Sequence, residues 1–503
     1  MKTIVPILLL FIVLAVLSAH VNLPGTDEAW FASPALNLIA HGHFGTSVLD
    51  PTAAFRKNNL TGIGRHTYWI PPLYPLVSAA WYRVCGFGLM HARYLSAAWG
   101  LLALWAWYRI LIVVCGDRRV ATLAVGLMAV DFTFVLAASW ARMDMMAAAL
   151  GCAGLAAFLS LRETRLLRAV LVSQACVAAA GLSHPLALGY FAGLLALTLY
   201  RDWRRIRLPH VVAAAVPYLV GAAGWGLYIL QSPHEFILQF GGNAAGRSIP
   251  LTEPVAMLYV QFVQRFWHMF GMAPDTRGLS HIKVLILAVY AAGILAALGN
   301  RQIRRHPGYR TLLVTGGVTL GAMMAIDNES HYFYLVHFVV WLIAFTAICA
   351  VWYWDHGGVP RWALALALAL VVLVQFATIG RRVSLRAYST EYLTTTDYLK
   401  QHATPQDIVM GSAELAFELG FDSPLVDDPR LGFLSGKHPS YIVIDQNRYA
   451  EWIPQYQERE PETYRYISGM LSGQFHQVLD NPAYRVYARN GLAAALRQPK
   501  PPF

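Results

Sequence analysis

Few acids in this 503-residue chain stand where they could act on a substrate. The sharpest group is Asp27-Glu28 in LPGTDEAWFASPALNLIAHGHF, just past an apolar run and opening an amphipathic stretch to about Ala40. Such a pair can be a helix start with acid in its first turn, which the macrodipole favours. At a membrane surface it can also take a proton from an acceptor hydroxyl. Asp144 follows Arg142 in SWARMDMMAAAL, at the mouth of another apolar run. An ionisable residue there is a functional candidate because its desolvation is costly, although Arg142 snorkelling to headgroups and Asp144 capping a helix would also fit.

Histidines and cations add to the set. His184 in GLSHPLALGY, and His331 with Tyr332 in AIDNESHYFYLVHFVVWL, are candidates for substrate binding. Bonding to a carbonyl or a lipid headgroup is the structural alternative. Asp327 and His331 could join a divalent metal site, but no HxxxH or HExxH spacing supports one. Arg65 and His66, near Arg56, Lys57, Arg83 and the run HTYWIPPLYP, set positive charge beside aromatic rings. That combination suits a lipid phosphate or pyrophosphate, or plain headgroup anchoring. No P-loop, dinucleotide fingerprint or GxSxG elbow occurs, so group-transfer energy would have to arrive in a membrane-borne substrate.

The elements that must position these residues are membrane helices. Hydrophobic residues make up 57% of the chain and charged residues 13%, against about 25% charge in soluble proteins. The net charge of +11 could suit nucleic acid. The arginines, however, sit in short clusters between apolar runs, a pattern that orients membrane helices and argues against a nucleic-acid partner. The five cysteines lie in or beside apolar segments and form no disulfide or zinc framework.

Runs able to cross a bilayer, or nearly so, lie at 4–22, 92–115, 119–138, 144–161, 168–182, 186–200, 209–230, 281–299, 311–326, 333–354 and 361–380. A further stretch, 72–89, is interrupted by Pro75, Arg83 and glycines. If 72–89 lies on the outer interface, every later basic cluster, from Arg118/Arg119 to Arg361, falls on the cytoplasmic side; if it crosses, all of them face outward. The reading is therefore about eleven transmembrane helices, with two interfacial helices in the first outer loop, 23–91. A second outer loop covers 231–280, and the first helix is retained although it resembles a secretory signal. Residues 1–380 form the membrane domain; 381–503 alternate helical stretches with short apolar runs, DIVMG and SYIVID, as a small outer mixed α/β domain. The fold class is mainly α, in an integral, multi-pass protein of the plasma (inner) membrane.

These features resemble the GT-C superfamily of integral-membrane glycosyltransferases, especially bacterial lipid-sugar transferases related to aminoarabinose transferases and protein O-mannosyltransferases. The matching parts, in order, are TDEAWFASPALNLIAHGHF after the first helix, YWIPPLYPLVSAAWYRVCGFG, ARYLSAAWGLLALWAWYRILIVVCGDRRVA, ARMDMM and SHPLALGY. The resemblance implies inverting transfer of a sugar from a polyprenyl-phosphate donor to a glycan, lipid or protein acceptor at the outer face. It implies Asp27 as catalytic base, Glu28 as its neighbour and Asp144 as the second acidic position, with Arg65, His66 or Arg142 at the donor phosphate. The sequence departs from aminoarabinose transferases at one point. Their acid and lysine before the proline of the second surface helix are replaced here by Trp69-Ile70-Pro71-Pro72. A lipid or lipid-sugar transporter without catalytic activity is the rival, but it would favour charges deep in several spans and repeated halves, whereas these acids gather at one face.

Overall fold

The computed structural model describes residues 3–50, 60–245, 254–274, 276–327, 332–446 and 448–491. Each apolar run forms helix: α1 Val5–Val21, α4 Leu89–Cys115, α5 Arg118–Val130 with α6 Phe132–Ala138, α7 Met143–Leu161, α8 Leu166–Gly181, α9 Leu188–Asp202, α10 Leu208–Ile229, then Val284–Gly299, Pro307–Ile326, Leu335–His356 and Arg361–Leu385. The expected surface helices are α2, Thr26–His41, and α3, Leu73–Cys85. Seven helices among the described residues are long and apolar enough to cross a membrane, or up to nine if each bent pair is one span.

This falls short of eleven for local reasons. The 119–138 run is bent by 65° between α5 and α6, because buried Asp131 caps α6 through Thr133 N (3.0 Å) and Phe134 N (3.1 Å). Its other oxygen accepts from Tyr290 Oη at 2.9 Å and Gln375 Nε2 at 2.7 Å, so the acid is fully bonded where water is absent. Helices α8 and α9 have only 16 and 15 residues. The 231–280 stretch, read as a loop, contains helical segments including Pro254–Tyr259 and Val260–Met272.

After Leu385 the chain builds a five-stranded sheet: β1 Val409–Met410, β2 Leu425–Val426, β3 Tyr441–Asp445, β4 Phe475–Asp480 and β5 Tyr484–Arg489, in the order β2-β1-β3-β5-β4. The β2-β1-β3 pairs are parallel, and the pairs of β5 with β3 and β4 are antiparallel. Central β3, YIVID, is buried throughout, as an apolar strand covered on both faces should be. One face packs on helices Tyr449–Arg459 and Pro461–Gln474 through Ile442, Ile444, Tyr449 and Ile467. The other joins Val409, Val443 and Val486 to Ala29 and Ala32 of α2. The opposite side of α2 presents Phe31 to Ile70, Tyr74, Met143 and Met146. Helix α2 is thus packed between the membrane helices and the sheet.

A buried ion pair fixes that helix. Glu28 and Arg93 are both fully buried, and the Arg93 Nε and Nη2 donate to the two Glu28 oxygens at 2.9 and 2.7 Å. The remaining Arg93 hydrogens reach the carbonyls of Ala19, Asn22 (3.0 Å) and Leu23 (3.1 Å), which satisfies all five donors. Glu28 also accepts from Gly25 N at 2.9 Å and Ala141 N at 2.8 Å. The end of α1, the start of α2, α4 and the turn before α7 are therefore tied to one carboxylate. Removing one charge strands the other in a dry interior, at a cost of about 3–5 kcal/mol. Arg93→Leu should sharply lower the yield of monodisperse protein in detergent and its melting temperature, and Arg93→Leu with Glu28→Leu should recover part of the loss. A double variant no better than the single one would show that the pair is not the constraint.

Candidate active site

The turn that Glu28 holds at Ala141 carries Arg142, and the first turn of α2 carries Asp27. The Arg142 Nη1 is ion-paired with Asp27, while its Nε donates to Asp144 Oδ2 at 2.9 Å. The guanidinium lies 4.1 Å from the Phe333 ring centre and 5.4 Å from that of Phe31. Asp144 Oδ1 is 3.6 Å from His184 Nε2. Leu186 N donates to His184 Nδ1 at 3.1 Å, so a neutral ring carries its proton on Nε2, towards Asp144. The Arg142 and Asp144 side chains are 5% and 2% exposed, whereas Asp27 is 30% exposed. One cation therefore bridges two aspartates, of which only Asp27 retains access to solvent.

That access opens into a cavity of about 1140 Å³ between the helices and the C-terminal sheet. Asp27, Arg142, His184 and Tyr332 line it, with Asp144 directly behind Arg142. Its walls include Trp30, Phe31, Trp69, Ile70 and Pro71, so the segment that departs from the aminoarabinose transferase pattern belongs to the cavity. Gly25 permits the close approach of Trp140, since a Cβ there would meet its ring at 2.7 Å. A groove of about 300 Å³ shares Leu23, Trp140 and Tyr332 with the cavity and adds Leu136, Met269 and Arg382.

Other candidates lie elsewhere. Glu28 is consumed by Arg93 and backbone amides and does not line the cavity. His66 Nδ1 lies 2.8 Å from Glu235 Oε2, Arg65 is exposed, and neither lines the cavity. His331 lies outside the described residues, as do Arg56, Lys57 and Glu329. Among the described residues no three His, Cys, Asp or Glu side chains are arranged to hold a metal ion, and the space between Asp27 and Asp144 is taken by Arg142.

Several site residues had not been singled out. Arg265, fully buried, donates to Asp327 Oδ2 at 2.6 Å, and Asp327 lines the cavity. The Arg265 Nε and Nη1 have no partner among the described residues. The sheet side contributes Glu414, Asp445, Arg448, Glu451, Trp452 and Tyr484. Glu414 accepts from Thr26 Oγ1 at 2.9 Å and Tyr484 Oη at 3.3 Å, and burial, then Asp445, pushes its carboxyl up to about 8. Burial likewise raises Asp445. Asp327 stands out in the sequence beside an apolar run, and Arg93 shows there as a charge inside an apolar run that needs a partner; the others leave no such signal.

No protein-family model and no curated protein matches the chain. Among solved structures, ArnT from Cupriavidus metallidurans bound to undecaprenyl phosphate superimposes with a TM-score of 0.61 at 16% identity, over 97% of this chain and 98% of that one. The two share one fold. An apo Archaeoglobus fulgidus oligosaccharyltransferase matches with a TM-score of 0.58 at 12% identity, over 96% of this chain and 74% of that one. AglB from that organism, in complex with an inhibitory peptide and a dolichol-phosphate, gives 0.55 at 12% over the same shares. The likeness is one of fold, mainly helical with many apolar helices and a small C-terminal sheet.

Glu414 makes a stability test possible. Burial and Asp445 push its carboxyl up to about 8 in the folded protein, against about 4.3 in an unfolded chain, so between those values the folded state holds the extra proton and stability falls as pH rises. Glu414→Gln cannot lose that proton. The melting temperature of Glu414→Gln minus that of wild type should grow steadily from pH 5 to pH 8, by the equivalent of about 1.4 kcal/mol per pH unit. A difference independent of pH would show an ionised Glu414.

Proposed function

We propose that the chain is a GT-C-type glycosyltransferase that moves a sugar, with inversion, from a polyprenyl-phosphate donor to an acceptor hydroxyl at the outer face of the plasma (inner) membrane. The single observation carrying this reading is the division of labour around Arg142: Asp144 is sealed behind it, and Asp27 opens on the cavity. Asp27 is the catalytic base. It takes the acceptor O–H proton as that oxygen bonds to the anomeric carbon, and the opposite bond from carbon to phosphate oxygen breaks. The electron pair leaves with the polyprenyl phosphate.

Cations set where that charge develops lower the barrier without reorganising. Of the three expected cations, Arg142 lines the cavity; Arg65 and His66 do not. We assign Arg142 to the donor phosphate, Asp144 and His184 to holding Arg142, and Tyr332 to the wall against the substrate; Arg265 adds positive charge from behind Asp327. The apolar groove beside Trp140 suits the lipid tail.

The outer orientation is supported by the opposite end of the bundle. Arg119–Asp355 (2.7 Å), Arg162–Asp202 (2.6 Å) and Arg310 over Tyr200 (5.4 Å) link loops that carry the basic clusters. Helices α4 and α7 run from the site to that end, so positive-inside bias leaves the cavity and the C-terminal domain extracytoplasmic. Charge at one mouth of the bundle favours transfer over transport.

Asp27→Asn should reduce sugar transfer by about 10²- to 10⁴-fold, measured by mass spectrometry of the glycosylated product from membranes, with insertion and undecaprenyl phosphate binding retained. Transfer at the wild-type rate by Asp27→Asn would remove Asp27 from the mechanism.

A further inference from the structure

One wall of the cavity takes no part in the proposed proton transfer or phosphate departure. The C-terminal domain supplies it, and its centre is Arg448, 92% buried. The Arg448 guanidinium lies 4.8 Å from the Trp30 ring centre and 4.7 Å from that of Trp452. Its Nη1 and Nη2 each donate to Asp427 at 2.8 Å, while its Nε has no partner among the described residues. Asp427 also accepts from Trp30 Nε1 at 3.1 Å and Tyr449 Oη at 2.8 Å, which makes the stack rigid. Asp445 is held by Ser412 Oγ at 2.8 Å and Tyr449 N at 3.0 Å. Glu414 meets Thr26, the residue before Asp27. On the helix side, Trp69 Nε1 is also without a partner among the described residues.

We propose that this wall is the acceptor subsite and that it binds a saccharide: Trp452 stacks on the apolar face of a sugar ring, while Glu414, Asp445 and Arg448 Nε bond its hydroxyls. A carboxyl that is neutral at pH 7 both donates and accepts, as vicinal hydroxyls do. Glu414, Asp445 and Asp427 place three carboxyls in or directly behind this wall against the one guanidinium of Arg448, so the wall favours an uncharged glycan over a phosphorylated or carboxylated one. The contact of Glu414 with Thr26 then puts the bound sugar next to the base.

The inference rests on the glycosyltransferase reading, and one experiment separates the two. Full-length protein in nanodiscs is titrated by native mass spectrometry with undecaprenyl phosphate, with a panel of neutral trisaccharides (mannose, glucose, galactose and N-acetylglucosamine based) and with a serine-containing hexapeptide. Wild type should bind undecaprenyl phosphate and at least one trisaccharide. Trp452→Ala should weaken the trisaccharide by about tenfold or more, Trp452→Phe should recover much of it, and both should bind undecaprenyl phosphate as wild type does. Binding of undecaprenyl phosphate but no trisaccharide, or trisaccharide binding unchanged in Trp452→Ala, overturns the subsite alone. Peptide binding that Trp452→Ala abolishes makes it a peptide site and overturns the saccharide assignment. Failure of wild type to bind undecaprenyl phosphate overturns the glycosyltransferase reading itself.

Discussion

A carboxylate and a guanidinium enclosed together near a membrane surface dictate most of what surrounds them. Neither Glu28 nor Arg93 reaches water, so every hydrogen and lone pair must be matched within the protein. The matching is made by backbone from three places, residues 19–23, Gly25 and Ala141. Those places are the exits and entrances of the helices around the cavity. The neighbours of this pair, Asp27 and the Arg142 turn, inherit their positions from it. A buried pair is weak evidence for stability as such, but here its geometry defines where the open carboxylate points.

The second organising fact is the double duty of α2. Its alanine face completes the core of the C-terminal sheet, and its Phe31 face completes the packing around α3 and α7. The β-bridge of Leu49 with Asp427 and the ion pair of Lys437 with Asp50 at 2.6 Å extend the same joint. Membrane helices and sheet therefore meet around the helix that carries Asp27, and the cavity is the gap left between them. A lipid-borne donor approaching from the groove side and an acceptor approaching from the sheet side would meet at that residue.

Much of this was legible in the sequence where the signal is local. Apolar runs marked the helices, DIVMG and SYIVID became β1 and β3, and Asp27, Arg142 and Asp144 stood out as charges at the ends of apolar runs. Asp131 was equally visible, yet the 119–138 run was read as continuous; the acid bends it because its side chain replaces backbone bonds at the start of α6. The functional candidates in the C-terminal domain were not legible. Glu414, Asp427 and Arg448 sit in a polar segment where charges are ordinary, and their meaning comes from contacts with Thr26 and Trp30 nearly four hundred positions away. Periodicity carries no information about such pairings. Likewise, Arg65 and His66 suit a phosphate by composition, but His66 is engaged with Glu235, a long-range pairing that composition does not show.

Under the proposed function, Asp27 and Arg142 face the reacting centre of a polyprenyl-phosphate donor. This placement is tested most directly by a structure of the full-length protein with undecaprenyl phosphate bound. The phosphate is expected in the 1140 Å³ cavity, within about a Debye length of 8 Å of Asp27 and bonded to Arg142. A phosphate seated instead at Arg65 and His66, or among the arginines at the opposite end of the helices, would contradict it.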